Sequence, residues 1–274
     1  MTIELGVNAF RVAFAAYAIS ALLYVIFLRR KSGLTGQRAT LFLIVGLFAH
    51  VAAITIRTIA AGRPPFMNVY EFIMSFTFAL TIIYLVIEFN MGAKSLGAFI
   101  VPLIAIFALA GNFMSSEVNP TMPALRSMLR VPHISSALLA YAAFGVASML
   151  AITYLIQARA ERTNSVFWLN RLPSAKTLDR IIYRTVAFGF FMLTIGIITG
   201  SIWAQVAWGK YWTWDPKEVW SAITWLIYAA FLHTRVTMGW RGRKSAILAL
   251  VGFIATLMTL FGVTYLMRSM HSYR

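Results

Sequence analysis

Four histidines and a knot of tryptophans are the residues in this sequence best suited to hold a ligand. The histidines are His50, His133, His233 and His271, and cysteine is absent. Without thiols the chain has no disulfide, no thiolate metal site and no thiol redox chemistry of its own. An imidazole in apolar surroundings is costly unless it serves a partner or a metal. The tryptophans crowd into WGKYWTWDPKEVW, residues 208–220. A lone tryptophan at headgroup depth is ordinarily an interfacial anchor, and such anchors are scattered over helix ends. Here the rings are concentrated around Gly209, whose backbone can turn tightly. That much flat aromatic surface suits a ligand with a large flat face, and a porphyrin is such a ligand.

The elements that must position these residues are transmembrane helices. Sixty per cent of the chain is hydrophobic, 12% is charged and the mean hydropathy is +0.77. An ordinary soluble domain is roughly half apolar and a quarter charged. About eight apolar runs approach the roughly 20 residues that span hydrocarbon. They fall at 10–28, 40–61, 69–89, 96–113, 134–157, 185–203, 219–238 and 246–267. The expected fold is all-α, a polytopic integral membrane helical bundle in one domain over residues 1–274. The start, MTIELGVNAF, has no basic n-region, so the first run is expected to be retained rather than cleaved.

Basic residues fall in alternate connections: Arg29, Arg30, Lys31 and Arg38; Lys94; Arg159, Arg162, Arg171, Lys176, Arg180 and Arg184; Arg235, Arg241, Arg243 and Lys244. By the positive-inside rule these face the cytoplasm or its organellar equivalent, and both termini lie on the outer, periplasmic or lumenal, side. The net charge of +16 is thus mostly topological. A nucleic-acid interface needs its cations on one folded face, which this distribution excludes. The longest polar stretch, about 158–184, reads as a cytoplasmic loop.

On this frame the chemistry-bearing residues take positions. Asp215, Pro216 and Glu218 form a helix start, with a capping acid, a first-turn proline and a glutamate that reaches back. The tryptophan-rich segment, 203–220, is therefore an outer loop leading into the seventh helix. Asp215 reads as a cap rather than a catalytic acid. His133 follows Pro132 at the start of the fifth helix and His271 lies just past the eighth, both level with that loop. One histidine on each side of a flat macrocycle is the axial arrangement haem iron accepts. His233 is different: it lies roughly 27 Å along its helix from Asp215, near the cytoplasmic side, on a stripe with Trp225 and Ala229. His50 falls nearer mid-bilayer, where the bland reading is an interhelical hydrogen bond.

The run WGKYWTWDPKEVWSAITWLIYAAFLHTR, a proline-led histidine before it and MHSY after it, resembles the CcsA/ResC family of cytochrome c biogenesis proteins. GRPPFMNVYEF, residues 62–72, is also similar to that family's N-terminal signature. The resemblance implies a haem-handling subunit of a System II holocytochrome c synthase, with no catalytic side chain of its own. Haem, as protohaem IX, is received across or from the membrane. It is then presented outside for covalent attachment to a CXXCH-type apocytochrome c. His133 and His271 match the outer axial pair, His233 matches a transmembrane haem ligand, and Trp208, Trp212, Trp214, Asp215 and Trp220 match the loop. A CcsB/ResB-type membrane protein is the implied partner, and thioredoxin-like thiol reductants are further candidates. The implied location is the bacterial cytoplasmic membrane or a thylakoid. His50 matches no position in that scheme. Haem propionates need cations, and Arg63, Arg126, Arg130, Lys210 and Lys217 all lie on expected outer segments.

The alternatives are a System I-type haem exporter or haem lyase subunit and a secondary transporter. The DPKEVW continuation resembles the System II branch more closely. A transporter would show inverted symmetry and broken helices, for which the sequence gives no sign. A respiratory cytochrome b would place histidine pairs within the hydrocarbon rather than at one outer face.

Overall fold

The computed structural model describes residues 2–118 and 128–267, so His271 and Arg126 lie outside the described residues. The described chain is all-α. Its helices are α1 (Thr2–Arg30), α2 (Gly33–Ala61), α3 (Val69–Met91), α4 (Gly97–Asn112), α5 (Arg130–Thr163), α6 (Val166–Leu169), α7 (Ala175–Trp208), α8 (Pro216–Thr237), α9 (Arg243–Leu257) and α10 (Val263–Leu266). A 3₁₀ turn, Lys94–Leu96, leads into α4, and a π-helical turn, Met258–Gly262, joins α9 to α10.

Among the described residues seven helical segments are long and apolar enough to cross a membrane. The expectation of about eight spans differs by α8. It has 22 residues, but with Lys217, Glu218, His233 and Arg235 it lacks a span-length stretch as apolar as those of the other seven. The connection expected over 158–184 shortens to 164–174, because α5 and α7 run on to 34 residues each. At 1.5 Å per residue such helices reach about 50 Å, well beyond the roughly 30 Å of hydrocarbon. Their polar turns project past the apolar layer, and hydropathy alone reads those turns as loop.

The chain forms two compact units, one of residues 1–120 with 163–173 and one of 121–162 with 174–274. In the first, α1 and α2 pair along their lengths. The seam is written in the sequence: the buried positions of α1 include Phe10, Ala13, Tyr17, Ser20 and Tyr24, and those of α2 Gly36, Ala39, Leu43, Gly46, His50, Ala53 and Arg57. Spacing by alternate threes and fours keeps one face turned to a neighbour.

Near both ends of α3 a buried carboxylate accepts several hydrogen bonds. Glu88 Oε2 accepts from the hydroxyls of Tyr24 and Tyr84, both at 2.6 Å, and Oε1 accepts from Thr40 at 2.6 Å. At the other end Glu71 accepts from Arg57 Nε at 2.9 Å, Arg63 Nη1 at 2.8 Å and the Met67 backbone N–H at 2.8 Å. Glu71 is thus both paired and hydrogen-bonded, the condition under which a buried charge persists, whereas Glu88 is held by hydroxyl donors. Between these ends sits His50, fully buried, with Nδ1 3.1 Å from the Tyr17 hydroxyl and the rings of Phe10, Tyr17 and Phe78 around it. It has the interhelical role that the bland reading gave it.

The second unit packs α5, α7, α8 and α9 through small residues. The buried side of α5 carries Ala140, Ala142, Ala143, Gly145, Ala147, Ser148 and Ala151. Such residues let helix backbones approach where no hydrophobic force separates helix from lipid. Phe144 of α5 stacks on Tyr228 of α8, with centroids 3.6 Å apart and planes at 10°. Gly252 on α9 admits that ring, since a Cβ there would come within 2.5 Å of it.

Candidate haem-facing cleft

His133 sits in the first turn of α5, where Pro132 costs no hydrogen bond because the first helical N–H groups have no intrahelical acceptor. Its Nδ1 lies 2.7 Å from the carbonyl oxygen of Gly196 on α7. A carbonyl only accepts, so Nδ1 carries a proton, and in the neutral ring the lone pair is then on Nε2. This is the arrangement that orients a metal-binding imidazole. Glycine is required one turn further along α7, because a Cβ on Gly200 would lie 2.5 Å from His133 Cε1 and Nδ1. Trp203 of α7, 2% exposed, stacks on the imidazole at 6.1 Å and 17° and meets Trp208 edge-on at 4.9 Å.

The loop that follows is shaped by hydrogen bonds to carboxylates. Gly209 ends α7 at φ 74 and turns the chain back. Asp215 caps α8, its Oδ1 accepting from Lys217 N at 2.9 Å, and Glu218 completes the capping box. Glu218 does more than close the cap: it accepts from Thr213 N at 2.8 Å, Thr213 Oγ1 at 3.0 Å and Asp215 N at 3.3 Å. The residue between those two donors, Trp214, is held at φ 61, a left-handed conformation costly for a bulky side chain. Ser201 ties the loop to α7 by donating to the Tyr211 carbonyl at 2.8 Å.

A cleft of about 60 Å³ is lined by His133, Tyr141, Gly196, Gly200, Trp208, Tyr211, Trp212 and Glu218, among others. His133, Trp208 and Trp212 thus come together from α5, the end of α7 and the loop. Trp214, 77% exposed, stands edge-on to Trp212 at 5.9 Å. Asp215 is buried and serves the cap, and Trp220 lies within α8, outside the cleft lining. His233 is exposed on α8, far from the loop, and its stripe neighbour Trp225 donates to Thr194 Oγ1 at 2.9 Å. Of the cations considered for propionates, Arg63 is paired with Glu71, Arg130 is buried, Lys217 is half-buried and Lys210 is exposed.

The structure adds Trp203, Gly196, Gly200, Tyr211 and Glu218 to the site. A four-residue glycine spacing in GIITG and a tryptophan one turn on were the signals available. Among the described residues no three or more His, Asp or Glu side chains cluster as metal ligands. A single imidazole beside a flat aromatic wall suits an iron whose equatorial positions a porphyrin fills.

Residues 66–271 match the family described as cytochrome C assembly protein. The chain is 33% identical to the cytochrome c biogenesis protein CcsA of Pyropia yezoensis, covering 100% of this chain and 99% of that one. It is 37% identical to CcsA of Guillardia theta, over 79% of each chain. It is also 37% identical to CcsA of Synechococcus elongatus, over 79% of this chain and 81% of that one. Its fold is similar to that of a cytochrome c heme lyase, CcmF, with a TM-score of 0.73 at 19% identity, covering 98% of this chain. The match takes in 48% of CcmF, so the chain spans about half that protein's length. The family match over residues 66–271, with 33–37% identity over 79–100% of the chain, places it in the CcsA/ResC family of cytochrome c biogenesis proteins.

Proposed function

We propose that this chain is the haem-presenting subunit of a System II cytochrome c synthase, and that His133 is one axial ligand of haem held at the outer cleft. One observation carries the reading: the Gly196 carbonyl fixes the proton on Nδ1, directing the lone pair of Nε2 for metal binding in a cleft walled by Trp208 and Trp212. His271 is the proposed ligand on the opposite face. The cleft's 60 Å³ is far below the roughly 300–1,000 Å³ of a cofactor pocket, so the macrocycle enters by displacing the loop rings. Trp212 and exposed Trp214 then offer stacking faces. The chain's residues bind, orient and exclude water. The bond-forming step, addition of two client thiols across the haem vinyl groups, depends on proximity rather than on a catalytic side chain here.

His233 is the proposed ligand of a second, cytoplasm-proximal haem position. Its exposure on α8 leaves it accessible to a histidine from a CcsB/ResB-type partner. Apocytochrome c of CXXCH type is the client, and thioredoxin-like reductants keep its thiols reduced. The distribution of basic residues supports an orientation with both termini, and the cleft, on the periplasmic or lumenal side, with α8 as an eighth span. Cyanobacterial and algal relatives make a thylakoid as well as a bacterial cytoplasmic membrane a fitting location.

The test is the absorption spectrum of the full chain purified with its partner. His133→Ala is expected to lose the bis-histidine bands of the outer haem, and added imidazole to restore them in part by refilling the coordination position. Unchanged bands and unchanged cytochrome c maturation in His133→Ala would overturn the assignment.

A further inference from the structure

At the other end of the second unit lies a larger cavity that the haem reading does not use. It measures about 600 Å³ and is lined by Tyr154, Leu155, Ala158, Arg159, Arg162, Arg243 and Ile247. The α5 residues fall on one helix face by their spacing, and Arg243 and Ile247 face them from the first turns of α9. Three guanidiniums therefore crown an apolar floor at the basic ends of two membrane helices. Two carboxylates near the cavity have partners outside its lining. Asp179 holds Arg235 in a bidentate pair at 2.9 and 2.7 Å and accepts from Gly242 N at 2.8 Å, while Glu161 accepts from Ala175 N at 2.8 Å. That bidentate clamp joins α7, α8 and the start of α9, and so braces one wall of the cavity.

We propose that this cavity seats the phosphate headgroup of an anionic phospholipid from the cytoplasmic leaflet, with an acyl chain along Leu155, Ala158 and Ile247. Guanidinium pairs with phosphate oxygens through parallel N–H donors, and a basic cavity between helices on the cytoplasmic side is the setting in which lipid phosphates are held. The cavity volume is in the range of small-molecule sites. Its surroundings decide for a lipid over a free phosphate: the charged rim continues into an apolar floor, which an inorganic ion would leave uncovered.

The experiment uses the full-length chain in detergent, washed free of native lipid. Dioleoyl phosphatidylglycerol, dioleoyl phosphatidylcholine, inorganic phosphate and haem are added in separate arms, with bound phosphorus per chain and Tm as readouts. Phosphatidylglycerol alone is expected to be retained and to raise Tm. Each of Arg159→Gln, Arg162→Gln and Arg243→Gln should weaken its binding about fivefold, from roughly the attraction of one basic residue near an anionic surface. Replacing all three by lysine, which keeps the charge but loses the parallel donors, guards against a folding defect and should leave binding between that of the unaltered chain and that of the glutamine variants. Three results would each overturn the proposal: equal retention by Arg162→Gln and the unaltered chain; equal loss in an Arg29→Gln, Arg30→Gln variant, whose cations lie outside the cavity; and a Tm response to inorganic phosphate as large as that to the lipid. Loss of haem binding in the glutamine variants with lipid retention intact would instead assign the cavity to haem carboxylates and also overturn it.

Discussion

The orientation of His133 rests on two α7 glycines that act differently. Gly200 has no room for a methyl group beside the imidazole, whereas a Cβ on Gly196 would meet Ala137 N and Ser136 Oγ at 3.3 Å, contacts that yield with a small shift. Gly200→Ala is therefore expected to rotate His133 away from its acceptor and lower haem retained per folded protein severalfold. The overpacking should cost about 1–3 kcal/mol of stability. Gly196→Ala should be milder in both respects, and equal haem content in the two variants would contradict this account. Trp214 offers a complementary probe because its backbone and its ring pull in opposite directions. Trp214→Gly relieves the left-handed conformation and should stabilise the fold by about 1 kcal/mol. If the ring is a stacking face, haem content should fall all the same. A rise in Tm with unchanged haem content would return Trp214 to the role of a membrane anchor.

At the scale of elements, the start of α8 sets the loop. Asp215→Asn keeps a capping oxygen and should be mild, while Asp215→Ala should cost about 0.5–2 kcal/mol. Glu218 is the more demanding residue, since its carboxylate accepts from three donors across residues 213–215. Glu218→Ala should thus loosen the tryptophan loop more than Asp215→Ala does, and Glu218→Gln should fall between them. Proteolytic sensitivity of the loop in the folded, membrane-inserted protein measures the order. An Asp215→Ala variant more sensitive than Glu218→Ala would show that the cap, not the glutamate, organises the segment. The capping box was legible from Asp-Pro-Lys-Glu because its partners lie within one helical turn. The extra reach of Glu218 to Thr213 was not, since it depends on how the preceding loop folds back.

For the whole molecule the absence of cysteine makes topology directly measurable. A single Trp214→Cys chain should react with a membrane-impermeant maleimide from the outside, and a Lys176→Cys chain only after permeabilisation. The reverse pattern would invert the orientation drawn from the basic loops. His233 belongs to the same scale, because its proposed role is in haem delivery rather than at the outer cleft. His233→Ala is expected to reduce haem reaching His133 while leaving the spectrum of whatever haem arrives unchanged. An altered spectrum with full occupancy would mean that the two histidines share one site.

Several features were determined by the sequence alone, because each is decided locally. Apolar run length separates membrane from water, and threes and fours in α1 and α2 state which face is buried. The Asp215 cap is complete within four residues. Family membership was likewise carried by contiguous residues of the tryptophan run. Tertiary structure decided the rest. His133 and Gly196 are 63 residues apart, and nothing near either specifies the other. The stacking of Trp203 on that imidazole, the commitment of Arg63 to Glu71, and the settlement of His50 against Tyr17 are of the same kind. A side chain's partner on another helix is fixed by packing register, to which every contact along both helices contributes. Hydropathy and motif spacing carry no term for it. The overextension of α5 and α7 has a related cause: the last turns of α5 and the first turns of α7 are polar, and continuous backbone hydrogen bonding, rather than apolar burial, keeps them helical.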